Sequence, residues 1–250
     1  MGKRGQVTIF IIIAILIVAA VVLFFSFKDS IIKTSVKNND RVYLYVENCI
    51  KETGEDGILY VMGNGGYLYA PISSTSDGIP YYFYAGKSYL PELSRIEDEI
   101  SSYMEQALYS CTNNFVNFPE LNVTEGKIQS ETLINNNEVI FNVKYSVTVT
   151  HKGGDVSRFT DFNGIKVTSR IRTMYNSISE IIKGQTREEV CVSCISEIAQ
   201  KGGFRIEMTN TEEALIFNLV DENSKIKDVP VELFYSNNEY IFIDNNEKQN

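Results

Sequence analysis

The chain has 250 residues, of which 44% are hydrophobic, and its formal net charge is −9. This acidic balance argues against nucleic acid and anionic lipid headgroups as partners, because both would repel the protein. Beyond the apolar N-terminal segment about 220 residues remain, which is enough for one large domain or two small ones.

The first predicted element is a membrane helix. Residues 7–27 form a run of 21 residues without a charged side chain. As a helix this run rises roughly 30 Å, which matches the hydrocarbon core of a bilayer. A secretory signal peptide would have a shorter apolar run and a small-x-small cleavage site at its outer end. We therefore expect residues 6–27 to form a retained transmembrane helix in the lipid bilayer, rather than a helix buried in a soluble core.

A basic leader, residues 1–5, precedes the apolar run. The sequence Lys3-Arg4-Gly5-Gln6, followed at once by an apolar helix, resembles the class III signal of archaeal type IV prepilins. In that family a membrane-embedded prepilin peptidase cuts on the cytoplasmic side after the glycine, so the resemblance implies cleavage between Gly5 and Gln6. The resemblance is limited to residues 1–27, and the first turn after the cut lacks the glutamate of bacterial type IV pilins. The alternative is that the two basic residues flank an uncleaved signal anchor.

Orientation in the membrane is argued from the rest of the chain, because basic residues flank both ends of the apolar run. Four cysteines, an Asn-x-Thr sequon at Asn122 and an acidic, tyrosine-rich body are typical of the outer side of a cell membrane. We expect a single-pass protein of the cell membrane whose C-terminal part is extracytoplasmic, with Asn122 as a glycosylation candidate.

Residues 28–62 are predicted to form a stalk helix that continues the membrane helix. Apolar residues recur there at the three- and four-residue spacing of a helix face: Val42, Tyr45, Val46, Cys49 and Ile50. The sequence Gly63-Asn64-Gly65-Gly66 is expected to end this helix, because its residues tolerate positive φ.

Residues 63–118 are expected to form a tyrosine-rich first part of the head. Aromatic runs at residues 67–69 and 81–84 predict two strands. Residues 91–110 predict a helix, because apolar side chains recur on one face. These are Leu93, Ile96, Ile100, Tyr103, Met104, Ala107 and Leu108.

Residues 119–250 are expected to form a strand-rich second part of the head. Alternating apolar residues predict a meander of strands over residues 121–128, 138–150 and 155–162. Residues 165–171 are expected to lead into a helix that runs through Ile182.

Another helix and three strands are predicted to complete the head. Thr186 and Glu189 form a capping box for the helix, which ends near Gly202-Gly203. The strands cover residues 204–208, 214–220 and 229–235, before a polar tail. The fold class is thus α+β: a long N-terminal transmembrane and stalk helix, then a head of antiparallel strands with packed helices.

The four cysteines leave several pairings open. Cys191 and Cys194 form a C-x-x-C pair, which is compatible with a local disulfide, half of a zinc site, a redox dithiol or free thiols. We favour the disulfide, because the capping box places Cys191 inside a helix rather than at its start, where redox dithiols lie. Cys49 and Cys111 would then be joined across about 60 residues, which stabilises a fold by on the order of 4 kcal/mol.

The tyrosines and the acidic clusters are the remaining candidates. Eleven of the fifteen tyrosines lie between Tyr43 and Tyr109, where they form either core or a platform for a sugar or a protein. The acidic clusters at residues 97–99 and 188–189 are interpreted as solvated helix faces. Residues 221–223 are expected in a hairpin loop that lacks the spacing of a calcium-binding loop.

The function expected from these features is structural. We predict a subunit of a type IV pilus-type assembly, with prepilin peptidase and like subunits as partners, and neither enzymatic activity nor a cofactor. The alternative is a permanently anchored surface adhesin or receptor that binds a glycan or a protein through its tyrosine-rich part. An anchored thiol enzyme is the least favoured hypothesis.

Overall fold

The structure is a computed structural model that describes residues 41–185, 190 and 192–237. The predicted leader, the transmembrane helix and the first part of the stalk helix lie outside these residues, as does the polar tail. Among the described residues, no helix combines the length and the apolarity needed to cross a bilayer.

Helix α1, Arg41–Gly63, is embedded in the head. Its buried residues recur at three- and four-residue spacing and form one face, whereas the opposite face, which includes Lys51 and Asp56, is exposed. A Cβ atom on Gly54 would lie 2.6 Å from the ring of Phe141, so this glycine permits close packing. The described part of the predicted stalk therefore packs within the head, and the predicted helix end at Gly63 is confirmed.

A short hairpin and a second long helix follow α1. Strands β1, Tyr81–Tyr84, and β2, Lys87–Ser88, pair antiparallel. Helix α2, Leu93–Thr112, buries four of the seven apolar residues predicted for its face and half-buries the other three. A 3-10 turn, Asn113–Phe115, follows it. The predicted strand at residues 67–69 is wrong, because this segment is a loop.

The three-stranded sheet is the predicted meander, in the order β3-β4-β5. Its strands are β3, Asn122–Ile134, β4, Glu138–Thr150, and β5, Val156–Thr168. β4 has the predicted bounds, whereas β3 and β5 are longer than predicted. The expected lead into a helix at residues 165–171 is wrong because Ile165 and Val167 continue the alternation of β5 and face Phe141 and Val139 of β4.

The second sheet has five strands in the order β2-β1-β8-β7-β6. Its later strands are β6, Arg205–Asn210, β7, Leu215–Ile226, and β8, Val229–Asn237. All pairs are antiparallel except β1 with β8, which is parallel. Because β1 and β8 are neighbours, the tyrosine-rich part and the strand-rich part of the head share one sheet.

Two further helices precede β6: α3, Ile171–Gly184, and α4, Val192–Gly202. Helix α1 contacts α2, β4, β5 and β8, so it packs against both sheets. The buried apolar residues of the two sheets and the helices form one continuous core. The described residues thus confirm an α+β fold built on antiparallel sheets.

Candidate functional site

A disulfide joins Cys49 of α1 to Cys111 of α2, with 5.6 Å between the two Cα atoms and a sequence separation of 62 residues. The hydroxyl of Tyr45, one helical turn before Cys49, donates to the carbonyl oxygen of Cys111 at 2.8 Å. The predicted pairing of Cys49 with Cys111 is therefore confirmed. Together the two bonds fix the distance between α1 and α2.

The C-x-x-C sequence lies at a helix end rather than in a helix interior. Cys194 is exposed and disulfide-bonded, whereas Cys191 lies outside the described residues. Helix α4 begins at Val192, and Val190 is not helical. The predicted continuous helix through Cys191 is therefore wrong at Val190, a β-branched residue whose type disfavours a helix. The capping box itself, residues 186–189, lies outside the described residues.

Helix α2 runs along the outer edge of β3 and bonds to its backbone. A carboxylate oxygen of Glu97 accepts a hydrogen bond from the N–H of Ile134 at 2.7 Å. In the same way, Glu105 accepts a hydrogen bond from the N–H of Ser130 at 2.9 Å. The hydroxyl of Tyr109 accepts the N–H of Ile128 at 3.3 Å. The spacing of these hydrogen bonds fits both elements, because four residues of a helix rise about 6 Å and two residues of a strand span about 6.7 Å.

The acidic cluster at residues 97–99 is therefore not simply solvated, and that interpretation is corrected. Glu99 is buried. Its carboxylate accepts a hydrogen bond from the N–H of Leu68 at 3.1 Å and forms an ion pair with Arg95 at 2.6 Å. These contacts hold the loop that carries Leu68 against α2. A buried carboxylate with two partners has a structural role, since isolated burial of a charge is costly.

The second acidic cluster also contains a buried ion pair. Asp221 is fully buried in β7, and its Oδ1 atom lies 2.9 Å from Nη1 of Arg170. The guanidinium of Arg170 also lies 5.0 Å from the ring centroid of Phe204 and donates to the carbonyl of Gly202 at 2.5 Å. Burial raises the pKa of Asp221, and Arg170 opposes that shift. The predicted hairpin loop at residues 221–223 is wrong, because these residues belong to β7, where Asp221 pairs with Arg170.

The tyrosine-rich part of the chain contributes to both the core and the surface. Tyr81 and Tyr82 are buried, and the Tyr82 hydroxyl donates to the carbonyl oxygen of Gly65 at 2.8 Å. Burial raises the pKa of Tyr82 well above its ordinary value. Exposed tyrosines also occur, and two of them, Tyr60 and Tyr69, meet α2. The interpretation as core is confirmed for Tyr81 and Tyr82, and the platform for a sugar or a protein stays a prediction.

We name Tyr60, Tyr69, Tyr103 and Gln106 the tyrosine platform. The rings of Tyr60 and Tyr103 lie 5.5 Å apart between centroids, at an interplanar angle of 35°. The hydroxyl of Tyr69 donates to Oε1 of Gln106 at 2.9 Å. Tyr103 and Gln106 are three residues apart on α2, which places them side by side on one helix face. Each of the two exposed tyrosines therefore contacts a side chain of α2.

Gly57 of α1 is the residue that allows this arrangement. A Cβ atom at this position would lie 2.8 Å from Cδ1 of Tyr103. Without that atom, the Tyr103 ring lies against the backbone of α1 and supports Tyr60. Burial, and after it the carboxylate of Asp56, raises the pKa of Tyr103.

The outward face of the three-stranded sheet carries a polar groove of about 610 Å³. Its lining includes Glu131, Asn142 and Lys144 but no aromatic side chain. Asn142 is already bonded on two sides, to Glu131 at 3.3 Å and to the N–H of Gly164 at 3.0 Å. We interpret this groove as a solvated sheet face.

The remaining predicted site residues are placed as follows. Asn122 is exposed at the first position of β3. Gly5 and Gln6 lie outside the described residues. Among the residues that the structure describes, no group of three or more His, Cys, Asp or Glu side chains is arranged to hold a metal ion.

Comparison with protein-family models, with curated proteins and with solved structures finds no match.

Proposed function

We propose that the chain is a membrane-anchored, prepilin-like cell-surface protein that serves as a structural or interaction subunit of a type IV pilus-type assembly. One observation carries the proposal: the apolar segment of residues 6–27 precedes a helix, α1, whose buried face packs against both sheets of a disulfide-bonded head. A helix packed between two sheets transmits a load on its N-terminal side directly to the core of the head. In this proposal the chain has no enzymatic activity and needs no cofactor.

The proposal assigns the head to the outer side of the cell membrane. The Cys49–Cys111 bond supports this assignment, because disulfides persist in oxidising compartments. The exposure of Asn122 supports it also, since a sequon must be accessible to be glycosylated. Prepilin peptidase would cleave between Gly5 and Gln6, and the apolar helix would then pack first in the lipid bilayer and later against like subunits.

A second candidate function, a permanently anchored adhesin or receptor, is favoured by the tyrosine platform. Two exposed aromatic side chains that α2 holds in place are better suited to a ligand than to a filament core, which the apolar helix would form. The two candidates share the membrane anchor and differ in processing and polymerisation.

The N-terminus of the mature protein tests the proposal. The full chain is produced in an archaeal host with an active prepilin peptidase, and its N-terminal peptide is identified by mass spectrometry. We expect a start at Gln6, and we expect Gly5→Val to block cleavage. Gly2→Val is the matched control, because it changes a leader glycine away from the cut. An intact start at Met1 or Gly2 would overturn prepilin processing.

Electron microscopy of the cell surface separates the two candidates once processing is known. Filaments that carry the chain, and that disappear with Gly5→Val, support the pilus-type subunit. A processed chain that is present at the surface without filaments supports the anchored adhesin instead.

A further inference from the structure

The N-terminal end of α1 lies beside the loop that leads into β3. Arg41, the first residue of the helix, forms an ion pair with Glu120 at 2.8 Å. The hydroxyl of Tyr45 accepts a hydrogen bond from the side-chain amide of Asn117, in the same loop, at 3.3 Å. The loop of residues 116–121 is therefore fixed at the end of α1 where the chain enters the head.

The hairpin between β4 and β5 lies at the same end of the head. Thr150, the last residue of β4, is paired with the first residues of both neighbouring strands, Asn122 and Val156. Lys152 in this hairpin also acts electrostatically on Glu120. The hairpin and the loop before β3 thus share one end of the head, which we name the entry end: residues 41–44, 116–121 and 150–156.

The entry end exposes three large apolar side chains to solvent. Val156 is 59% exposed, Val116 is 58% exposed and Leu44 is 43% exposed. Apolar side chains that face a bilayer leave water by entering the headgroup boundary, which is favourable. The entry end therefore has the apolar surface that a contact with lipid requires.

The entry end is also the part of the head that is joined to the apolar N-terminal segment. That segment ends at Phe27, and 13 residues, 28–40, separate it from Arg41. Even fully extended, this connection spans at most about 50 Å. If the apolar segment is anchored in the bilayer, as in the proposed function, the anchor tethers the entry end to the membrane. A tether raises the effective concentration of the tethered surface, so a weak contact with lipid is sufficient.

The charge on this side of the chain differs from the charge of the whole. Residues 28–41 contain four basic and two acidic residues, although the formal net charge of the chain is −9. Basic side chains near a bilayer are attracted to the lipid headgroups. Within the entry end, Arg41 and Lys152 are balanced by Glu120 and Asp155. The acidity that disfavours anionic lipid as a partner is therefore carried by other parts of the chain.

We propose that the entry end docks on the surface of the lipid bilayer that holds the anchor. Val116 and Val156 enter the headgroup boundary, and Arg41 and Lys152 contact lipid phosphate groups. Gly63, at the other end of α1, then lies farther from the membrane than Arg41. This inference rests on the proposed function for the membrane anchor, but not for prepilin processing or polymerisation.

Single tryptophans test the inference, because the chain contains no tryptophan of its own. The full chain with Val116→Trp or Val156→Trp is reconstituted in nanodiscs of brominated phosphatidylcholine, whose bromine atoms quench the fluorescence of nearby tryptophans. We expect quenching of about twofold or more for both variants, because side chains docked in this way lie about 5–10 Å deep at the headgroup boundary. Ile72→Trp is the matched control, since Ile72 is fully exposed in the loop that follows the other end of α1. Its fluorescence should be the same in brominated and unbrominated nanodiscs.

A second pair of variants separates docking from folding. Val116→Asp added to Val156→Trp places a charge against the bilayer, so the quenching should fall toward that of the control. Ile72→Asp added to Val156→Trp makes the same change at the other end of α1 and should leave the quenching unchanged. Both aspartates replace exposed side chains, so thermal unfolding should be the same for the two variants.

Two fluorescence results would overturn the inference. One is quenching that is absent from Val116→Trp and Val156→Trp or equally strong in Ile72→Trp, and the other is quenching that both aspartate substitutions reduce equally. Flotation with phosphatidylcholine vesicles distinguishes this failure from failure of the proposed function. A chain that floats with the vesicles but shows no quenching contradicts docking alone, whereas a chain that does not float contradicts the membrane anchor and docking together.

Discussion

The carboxylate of Glu97 on α2 accepts the backbone N–H of Ile134, an edge residue of β3, at 2.7 Å. Glu105 bonds to Ser130 in the same way. An edge strand with free N–H groups is a template for pairing with another chain, and side chains that occupy those groups prevent it. Helix α2 thus protects one edge of the three-stranded sheet.

Removal of both acceptors should destabilise the head and promote association. For Glu97→Ala combined with Glu105→Ala, we expect a loss of about 1–3 kcal/mol per unpaired amide and a new self-associated species. Chemical unfolding and analytical ultracentrifugation measure the two effects. Glu97→Gln with Glu105→Gln keeps an oxygen acceptor at each site and should restore both properties. An alanine double variant as stable and monomeric as the parent would contradict this role of α2.

The Cys49–Cys111 bond should contribute strongly to stability. Cys49→Ala with Cys111→Ala opens a loop of 62 residues, and we expect a loss on the order of 4 kcal/mol from the greater entropy of the unfolded chain. Urea unfolding, followed by circular dichroism, gives the value. The parent chain measured with a reductant should lose at least as much stability, because the reductant also opens the disulfide of Cys194. If the variant unfolds at the same urea concentration as the oxidised parent, the bond does not stabilise the head.

The Arg170–Asp221 pair should be sensitive to loss of one partner. Asp221→Ala leaves the guanidinium of Arg170 without its carboxylate, and we expect a loss of about 3–5 kcal/mol. Lys166→Ala is the matched control, because Lys166 pairs with Glu138 at the surface, where such pairs contribute about 1 kcal/mol or less. Equal losses for the two variants would contradict a special role for the buried pair.

The loop between α1 and β1 should loosen at acidic pH. Glu213 accepts bonds from the N–H of Ser76 at 3.0 Å, from its hydroxyl at 2.8 Å and from the Tyr81 hydroxyl at 3.2 Å. The Ser76 N–H, and after it the two hydroxyls, lowers the pKa of Glu213 from its ordinary value of 4.5. Because the folded pKa is the lower one, the stabilisation is present above pH 4.5 and is lost as the pH falls through the folded value.

Amide NMR checks this pH dependence. The Ser76 resonance should shift, and its hydrogen exchange should quicken relative to distant amides, as the pH falls from 6 to 3. In Glu213→Gln the Ser76 amide should show no such titration. A Ser76 resonance that titrates identically in both proteins would assign the effect to another carboxylate.

The elements with a long, regular period were predictable from the sequence. Strand β4 and the apolar face of α2 have local patterns that agree with their packing. The loop at residues 67–69 was not predictable, because its aromatic residues suggest a strand while its backbone bonds to Glu99, 31 residues away. Only the contact with Glu99 decides between a strand and a loop at residues 67–69.

The candidate site was predictable in composition but not in location. The sequence indicates that tyrosines are concentrated in one region, yet the platform forms only where Tyr60, Tyr69 and Tyr103 from three segments converge. The same limit applies to Asp221, whose partner Arg170 is 51 residues away. In the sequence, a polar residue whose partner is distant along the chain looks the same as a polar residue exposed to solvent.

Strand β8 is the last described strand of the chain and the central strand of its sheet. A chain that folds from its N-terminus as it is synthesised therefore cannot complete the five-stranded sheet until β8 is available. This is because β8 lies between β1 and β7 and pairs with both. Such a high contact order slows folding and prolongs the exposure of unpaired strands. A chain that stops before residue 229 could form the three-stranded sheet and the β6–β7 pair, but it could not join β1 to them in the five-stranded sheet.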